Sequence, residues 1–226
     1  MYKTLKKTLI NKGSNILNRS NTKTRRVRNK YCYIFGYGTL INDISRRNTL
    51  KRSSIGIPAI IKKDFLHRRK YSYGGTPGKI KNPIKVLGIE KCLKSKSQKI
   101  NGILFKLPYH KLKSFDKREG GAIRTQVEWK HIIPYYKDDF PVKKRWDVFI
   151  YDDVNSKIKP SDQMTPSEAY IDTTVIGLEK FDEEMAKMFF KTTVGLPRNI
   201  NTYSKWKKKR DKRLTEYVVA SHYGIS

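Results

Sequence analysis

Two short stretches hold the residues of this chain best suited to chemistry. One is Ile34-Phe35-Gly36-Tyr37-Gly38-Thr39-Leu40-Ile41-Asn42, and the other is Phe115-Asp116-Lys117-Arg118-Glu119-Gly120-Gly121. In the first, an apolar strand runs into a turn punctuated by Gly36 and Gly38. Glycines there permit positive φ, so that successive N–H groups point one way and form a concave anion site. Tyr37 and Thr39 offer hydroxyl donors beside it. The turn is not a dinucleotide fingerprint, because the third glycine and a clear helix opening are missing. It is not a phosphate-binding P-loop either, because it lacks the Lys-Ser/Thr pair. An ordinary tight turn is the plainer reading of the same residues.

In the second stretch a helix over residues 108–118 has Leu112 and Phe115 as its apolar positions. Glu119 continues that face, four residues from Phe115 and seven from Leu112. Lys111, Lys113, Lys117 and Arg118 lie elsewhere around the helix. A carboxylate carried toward the core is desolvated, which favours its neutral form and raises its pKa. That is how a glutamate becomes a proton acceptor and donor near neutral pH. Gly120 and Gly121 leave room beside it for a ligand. The spacing also admits a simple helix-end ion pair of Glu119 with Arg118 or Arg124. Asp116, four residues from Leu112, competes for the same face and reads as structural, holding a loop.

These two stretches need a scaffold. Strand candidates are residues 31–35, 56–61, 84–90, 99–107, 124–129 and 146–151, with an irregular loop expected at 71–78. The helix over 108–118 has Pro108 near its first turn and Gly120 just past its end. Thr165-Pro166-Ser167-Glu168 reads as a capping box opening a helix with Ile171, Val175 and Leu178 on one face. A further helix begins at Asp182-Glu183-Glu184 and carries the stripe Phe181, Met185, Met188 and Phe189 until Gly195 and Pro197 stop it. Strands first and helices mostly after argue an α+β fold with a largely antiparallel sheet.

The chain has 226 residues, 37% of them apolar, and a net charge of +30. That length suits one domain with appendages. No stretch approaches the roughly 18 consecutive apolar residues of a membrane span. Cys32 and Cys92 make neither metal-ligand spacing nor a disulfide framework, and read as reduced thiols of an intracellular protein. Residues 1–30 hold ten Lys or Arg and no acid, and read as a basic, disordered tail. Similar composition marks organellar transit peptides, but the apolar run of a secretory signal is absent. A cytoplasmic location is the default. The expected domain covers residues 31–200, followed by a basic C-terminal extension over 201–226 in which 206–213 is a basic run with one tryptophan.

Taken together, these residues resemble the gamma-glutamylcyclotransferase-like family. The turn Phe35-Gly36-Tyr37-Gly38-Thr39-Leu40-Ile41-Asn42 is similar to the family's first-strand turn, and Ser45-Arg46-Arg47-Asn48-Thr49 looks like its bacterial-type branch. Leu87-Gly88-Ile89-Glu90 and Ile100-Asn101-Gly102-Ile103-Leu104-Phe105 are similar to two of its strands. Phe115-Asp116-Lys117-Arg118-Glu119-Gly120-Gly121 matches its glutamate-bearing helix end. Tyr170-Ile171-Asp172 and Phe189-Phe190-Lys191-Thr192-Thr193 resemble the C-terminal helices of one branch. The likeness covers roughly residues 33–195.

The resemblance implies a small mixed, largely antiparallel β-barrel with flanking helices. It implies a reaction in which the α-amine of a γ-glutamyl group attacks its own γ-carbonyl, releasing 5-oxoproline and an amino acid or amine. Glu119 would move the proton. Gly36, Tyr37, Gly38, Thr39 and Leu40 would bind the small γ-glutamyl substrate, and no metal or cofactor is needed. The sequence departs from the family at Thr39, where serine is usual, and at Ala122, where a tyrosine follows the glutamate in the branch. The second departure implies a larger pocket or altered activity. With the charge of +30, it motivates the alternative expectation of a catalytically altered binding protein on the same fold. Such a protein would contact a polyanion such as nucleic acid through residues 1–30 and 206–213.

Overall fold

Cys32, Tyr33, Ile34 and Phe35 are all buried, and so are Ile103, Leu104, Phe105 and Leu107. Two adjacent strands with both faces covered read as continuous apolar runs rather than alternating ones, and they are the centre of the fold. In the computed structural model of the chain, residues 30–51, 54–75, 84–119, 122–137, 140–152, 164 and 167–222 are described. The expected disordered tail lies outside them, apart from Lys30, as do Gly120, Gly121, Thr165 and Pro166.

The elements run β1 (Tyr31–Gly36), a 3-10 turn (Thr39–Ile41), α1 (Asp43–Leu50), β2 (Gly56–Ile61), β3 (His67–Gly75), β4 (Ile84–Lys91) and β5 (Ile100–Pro108). They continue with α2 (Leu112–Arg118), β6 (Ile123–Val127), β7 (Ile132–Pro134), β8 (Val148–Asp152), α3 (Glu168–Glu179), α4 (Glu183–Thr192), β9 (Thr193–Val194) and α5 (Tyr203–His222). The strands form a six-stranded sheet in the order β6-β8-β1-β5-β2-β7 and a three-stranded one in the order β4-β3-β9. Every pairing is antiparallel except β1 with β8 and β3 with β9. The expected α+β class and antiparallel bias hold. The larger sheet curls into a half-barrel with β6 and β7 at its edges, so among the described residues the barrel is open rather than closed.

Alternation along β1 and β5 divides the core in two. Ile34, Phe105 and Leu107 face the helices, packing with Leu112, Phe115, Val175, Leu178, Phe189 and Trp206. Tyr33, Phe35 and Leu104 face the other way, toward Ala59, Ile61, Trp146, Val148 and Ile150.

Several expectations are corrected. Tyr71 to Gly75 is not an irregular loop but the second half of β3, paired to β4 through a register shift between Tyr71 and Tyr73. Pro108 ends β5, and a 3-10 turn (Tyr109–Lys111) leads into α2. Ser167, not Thr165, is the N-cap of α3, accepting from the Tyr170 N–H at 3.2 Å. Within the expected C-terminal extension α5 begins at Tyr203, and its Trp206 is 0% exposed within the core, so that residue belongs to the packed domain. Cys32 and Cys92 are free thiols. Among the described residues no helix is long and apolar enough to cross a membrane.

Candidate active site

The 36–42 turn is built almost wholly from backbone. The Ile41 N–H donates to the Gly38 carbonyl (2.9 Å) and the Asn42 N–H to that of Thr39 (3.1 Å). Asn42 then caps α1, its Oδ1 accepting from the N–H groups of Ile44 and Ser45 at 3.0 and 3.4 Å. The turn's internal bonds thus leave the N–H groups of Gly38, Thr39 and Leu40 outside them.

The glycines are needed for space and not, as expected, for positive φ. Gly38 has φ −125° and ψ −137°. A Cβ there would sit 2.7 Å from the Tyr170 hydroxyl of α3, and one on Gly36 would sit 3.1 Å from Leu40 Cβ. Tyr37 does not aim its proton at an anion either. Its hydroxyl donates to the Tyr151 carbonyl of β8 at 2.7 Å. Thr39 is half-buried at the turn and Leu40 is buried.

Glu119 lies one residue past α2, its N–H bonded to the Phe115 carbonyl at 3.1 Å. Leu112 and Phe115 turn into the core as their spacing predicts. The Glu119 side chain is about one-fifth exposed and pairs with Arg118. Burial raises its pKa, and the neighbouring Arg118 opposes that by favouring the carboxylate. Both sequence-based readings of this residue therefore describe part of it: a desolvated acid and a helix-end pair. Asp116 is structural. Arg124 Nη1 donates to both of its oxygens at 2.7 Å, and the Tyr151 hydroxyl donates to Oδ1 at 2.7 Å.

Tyr151 therefore links the two predicted halves, its carbonyl bonded to Tyr37 and its hydroxyl to the last turn of α2. A cleft of about 540 Å³ opens beside that helix, with Thr49, Lys51, Ser114, Phe115 and Arg118 among its walls. Neither Glu119 nor any turn residue lines it.

Sequence reasoning missed the groups behind the turn. Arg69 of β3 is fully buried and donates to the Tyr37 carbonyl at 3.4 Å and the Asn101 carbonyl at 2.9 Å. Arg46 of α1 donates to the carbonyls of Leu40 (2.9 Å) and Ile41. Gly177 was missed as well. It brings α3 against the backbone of the turn's exit, where a Cβ would lie 2.7 Å from Asn42 N. Among 50 basic residues and 14 glycines nothing in the sequence marks Arg69 and Gly177, and Arg46 stands out only as one residue of a stretch with a family likeness.

The basic run of α5 pairs in large part with carboxylates of α3 and α4. Lys209 and Arg213 bond Glu168, Arg210 bonds Glu179 and Lys207 reaches Glu183. Trp206, buried against Phe190 and Tyr203, donates its Nε1–H to Asp172 at 2.7 Å. Its ring offers no face to a nucleic-acid base. Among the described residues no group of three His, Cys, Asp or Glu is placed to hold a metal ion.

No protein-family model matches the chain, and no curated protein matches it in sequence. Its structure is similar to a solved one described as a gamma-glutamyl cyclotransferase, at 14% identity and TM-score 0.48, covering 80% of this chain and 99% of that one. It is similar to an uncharacterized protein from Homo sapiens, at 13% identity and TM-score 0.49, covering 78% of this chain and 96% of that one. A yeast gamma-glutamyl cyclotransferase specific to glutathione is similar at 12% identity and TM-score 0.45, covering 72% of this chain and 97% of that one. These are likenesses of chain trace, and residue roles rest on this chain's own geometry.

Proposed function

We propose that this chain is a cyclotransferase acting on γ-glutamyl compounds, with Glu119 as its proton carrier and the 36–42 turn as its substrate holder. The observation that carries this reading is the desolvated Glu119 carboxyl on a helix end joined through Tyr151 to a turn with three N–H groups outside its internal bonding.

The α-amine of a γ-glutamyl group is an ammonium at neutral pH and must lose a proton before it can attack. A carboxylate with a raised pKa takes that proton more readily than one on the surface. The freed amine forms a C–N bond to the γ-carbonyl carbon of the same residue, while the N–H groups of Gly38, Thr39 and Leu40 hold negative charge on the substrate. Glu119 then returns its proton to the leaving nitrogen, and the bond to the departing amine or amino acid breaks. The second proton lost as the lactam forms ends on the released amine, so no net proton is exchanged. Because attack is intramolecular, a folded substrate supplies much of the rate. Ala122 is half-buried, its N–H bonded to the Glu119 carbonyl at 3.2 Å, and it presents only a methyl group beside the base.

The test is 5-oxoproline release from glutathione, γ-glutamyl amino acids and bulky γ-glutamyl amines. Wild type is expected to turn over at least one of them, and Glu119→Gln to lose about 10²–10⁴-fold of that rate. Equal release by the two proteins would remove Glu119 from the role. No release from any substrate would reject the reaction class.

A further inference from the structure

Arg46 and Arg69 are 3% and 0% exposed, and among the described residues neither has a carboxylate within ion-pairing distance. A buried charge without an ion-pair partner is costly, and Asp43 at the start of α1 acts on Arg46 only from beyond ion-pairing distance, so two such charges behind one short turn call for a physical reason. Arg69 gives Nη1 to the carbonyls of Asn101 (2.9 Å) and Tyr37 (3.4 Å), Nη2 to Asn101 Oδ1 (2.8 Å) and Thr192 Oγ1 (3.1 Å), and Nε to Thr193 Oγ1 (2.8 Å). Arg46 gives Nη1 to the carbonyls of Leu40 and Ile41, and Nε and Nη2 to that of Ser54 at 3.4 and 3.3 Å.

With the two bonds inside the turn, every carbonyl from Tyr37 to Ile41 accepts a hydrogen bond from the protein itself. In a trans peptide the N–H points opposite to the preceding carbonyl. The N–H groups of Gly38, Thr39 and Leu40 are therefore turned away from the protein's own donors. Neutral donors would suffice to fix the carbonyls. Guanidinium ions add two positive charges behind the turn, in a medium where charge acts strongly. Burial draws Arg69 down to about 9, which leaves it protonated at neutral pH.

We propose that Arg46 and Arg69 are positioning residues that make the 36–42 turn a receptor for the substrate's carboxylate group. Their hydrogen bonds fix the orientation of the N–H groups, and their charges draw the anion to them. This deepens the proposed function and rests on it for the identity of the ligand.

The experiment uses the full chain and the pairs Arg46→Gln with Arg46→Lys and Arg69→Gln with Arg69→Lys. Glutamine keeps a donor without charge, and lysine keeps the charge with different donors. 5-Oxoproline is titrated while the amide NMR signals of Gly38, Thr39 and Leu40 are followed, and KM and kcat are measured on the best γ-glutamyl substrate. Wild type is expected to show saturable shifts at those three amides. Arg46→Gln is expected to weaken binding and raise KM by about tenfold or more, with kcat changed less, and Arg46→Lys to recover most of the loss.

Folded glutamine variants that bind as tightly as wild type would overturn the proposal. So would glutamine and lysine variants that are equally defective, which is the outcome of a merely structural role, or a wild type without shifts. If loss of the Arg69 bonds prevents folding, the Arg46 pair decides by itself. Wild type that binds 5-oxoproline at the turn but turns over no substrate would refute the reaction, and weaker binding by the glutamine variants would then still support this inference. Turnover untouched by the glutamine variants would refute this inference and leave the reaction standing.

Discussion

Gly177→Ala sets two known effects against each other at the place where α3 meets the turn. Replacing a helical glycine by alanine ordinarily gains up to about 1 kcal/mol. Here the new Cβ would lie 2.7 Å from Asn42 N, 2.9 Å from Asn42 Cα and 3.0 Å from the Ile41 carbonyl carbon. Ordinary contact begins at 3.4 Å, so the closest approach is about 0.7 Å short. All three atoms are backbone, and that backbone is held. Asn42 Oδ1 caps α1, its Nδ2 donates to the Thr173 carbonyl at 3.4 Å, and the Ile41 carbonyl accepts from Arg46. Overpacking of this kind costs about 1–3 kcal/mol. Because Gly177 is near the end of α3, the propensity gain is at the low end and the steric term wins.

A net loss of about 1–2 kcal/mol is expected. Urea unfolding of the two proteins, extrapolated linearly, measures it as a lower midpoint at unchanged slope. The retreat of α3 also carries Tyr170 away from Gly38, so KM for a γ-glutamyl substrate is expected to rise in the same variant. A Gly177→Ala protein as stable as wild type, or more stable, would refute the close backbone contact.

Three further outcomes are expected. Burial raises the Glu119 pKa in the folded state, so folding there binds protons and stability falls as pH rises from its ordinary value of 4.5 through the folded one. Thermal melts should then show Glu119→Gln more stable than wild type at pH 7, with the gap closing below pH 4.5. A gap that is constant across that range would contradict the desolvation argument. Trp206→Ala removes a fully buried ring and a bond to Asp172, and should cost about 3–5 kcal/mol in chemical unfolding, against under 1 kcal/mol if α5 were merely appended. Asp116→Asn weakens the tie to Arg124, which is partly exposed, and alters the bond from the Tyr151 hydroxyl. About 1 kcal/mol of stability should be lost, with slower turnover but an unmoved acid limb of the pH–rate profile, because Asp116 positions the helix end and takes no part in the proton transfer.

Local pattern determined a good part of this protein. The apolar runs of β1, β2, β4 and β5, the Met185 and Phe189 stripe of α4, and the inward face of Leu112 and Phe115 were all legible, because burial follows from periodicity. Glu119 at the end of that face was legible for the same reason. Position in space was not. The Gly74-Gly75 end of β3 has turn-forming residues, yet β4 pairs with it residue by residue, and partner strands override propensity. The first helix, α1, has no apolar stripe, and what holds it is the cap from Asn42 and the burial of Arg46. Composition makes every lysine and arginine look like solvated surface. Only tertiary structure selects Arg46 and Arg69 for the interior, sets Tyr170 over Gly38 and draws Trp206 out of a basic run into the core. Each of these depends on residues about 30 to 130 positions away or on a carbonyl array that exists only once the turn has formed, and a one-dimensional pattern has no means of recording such distances.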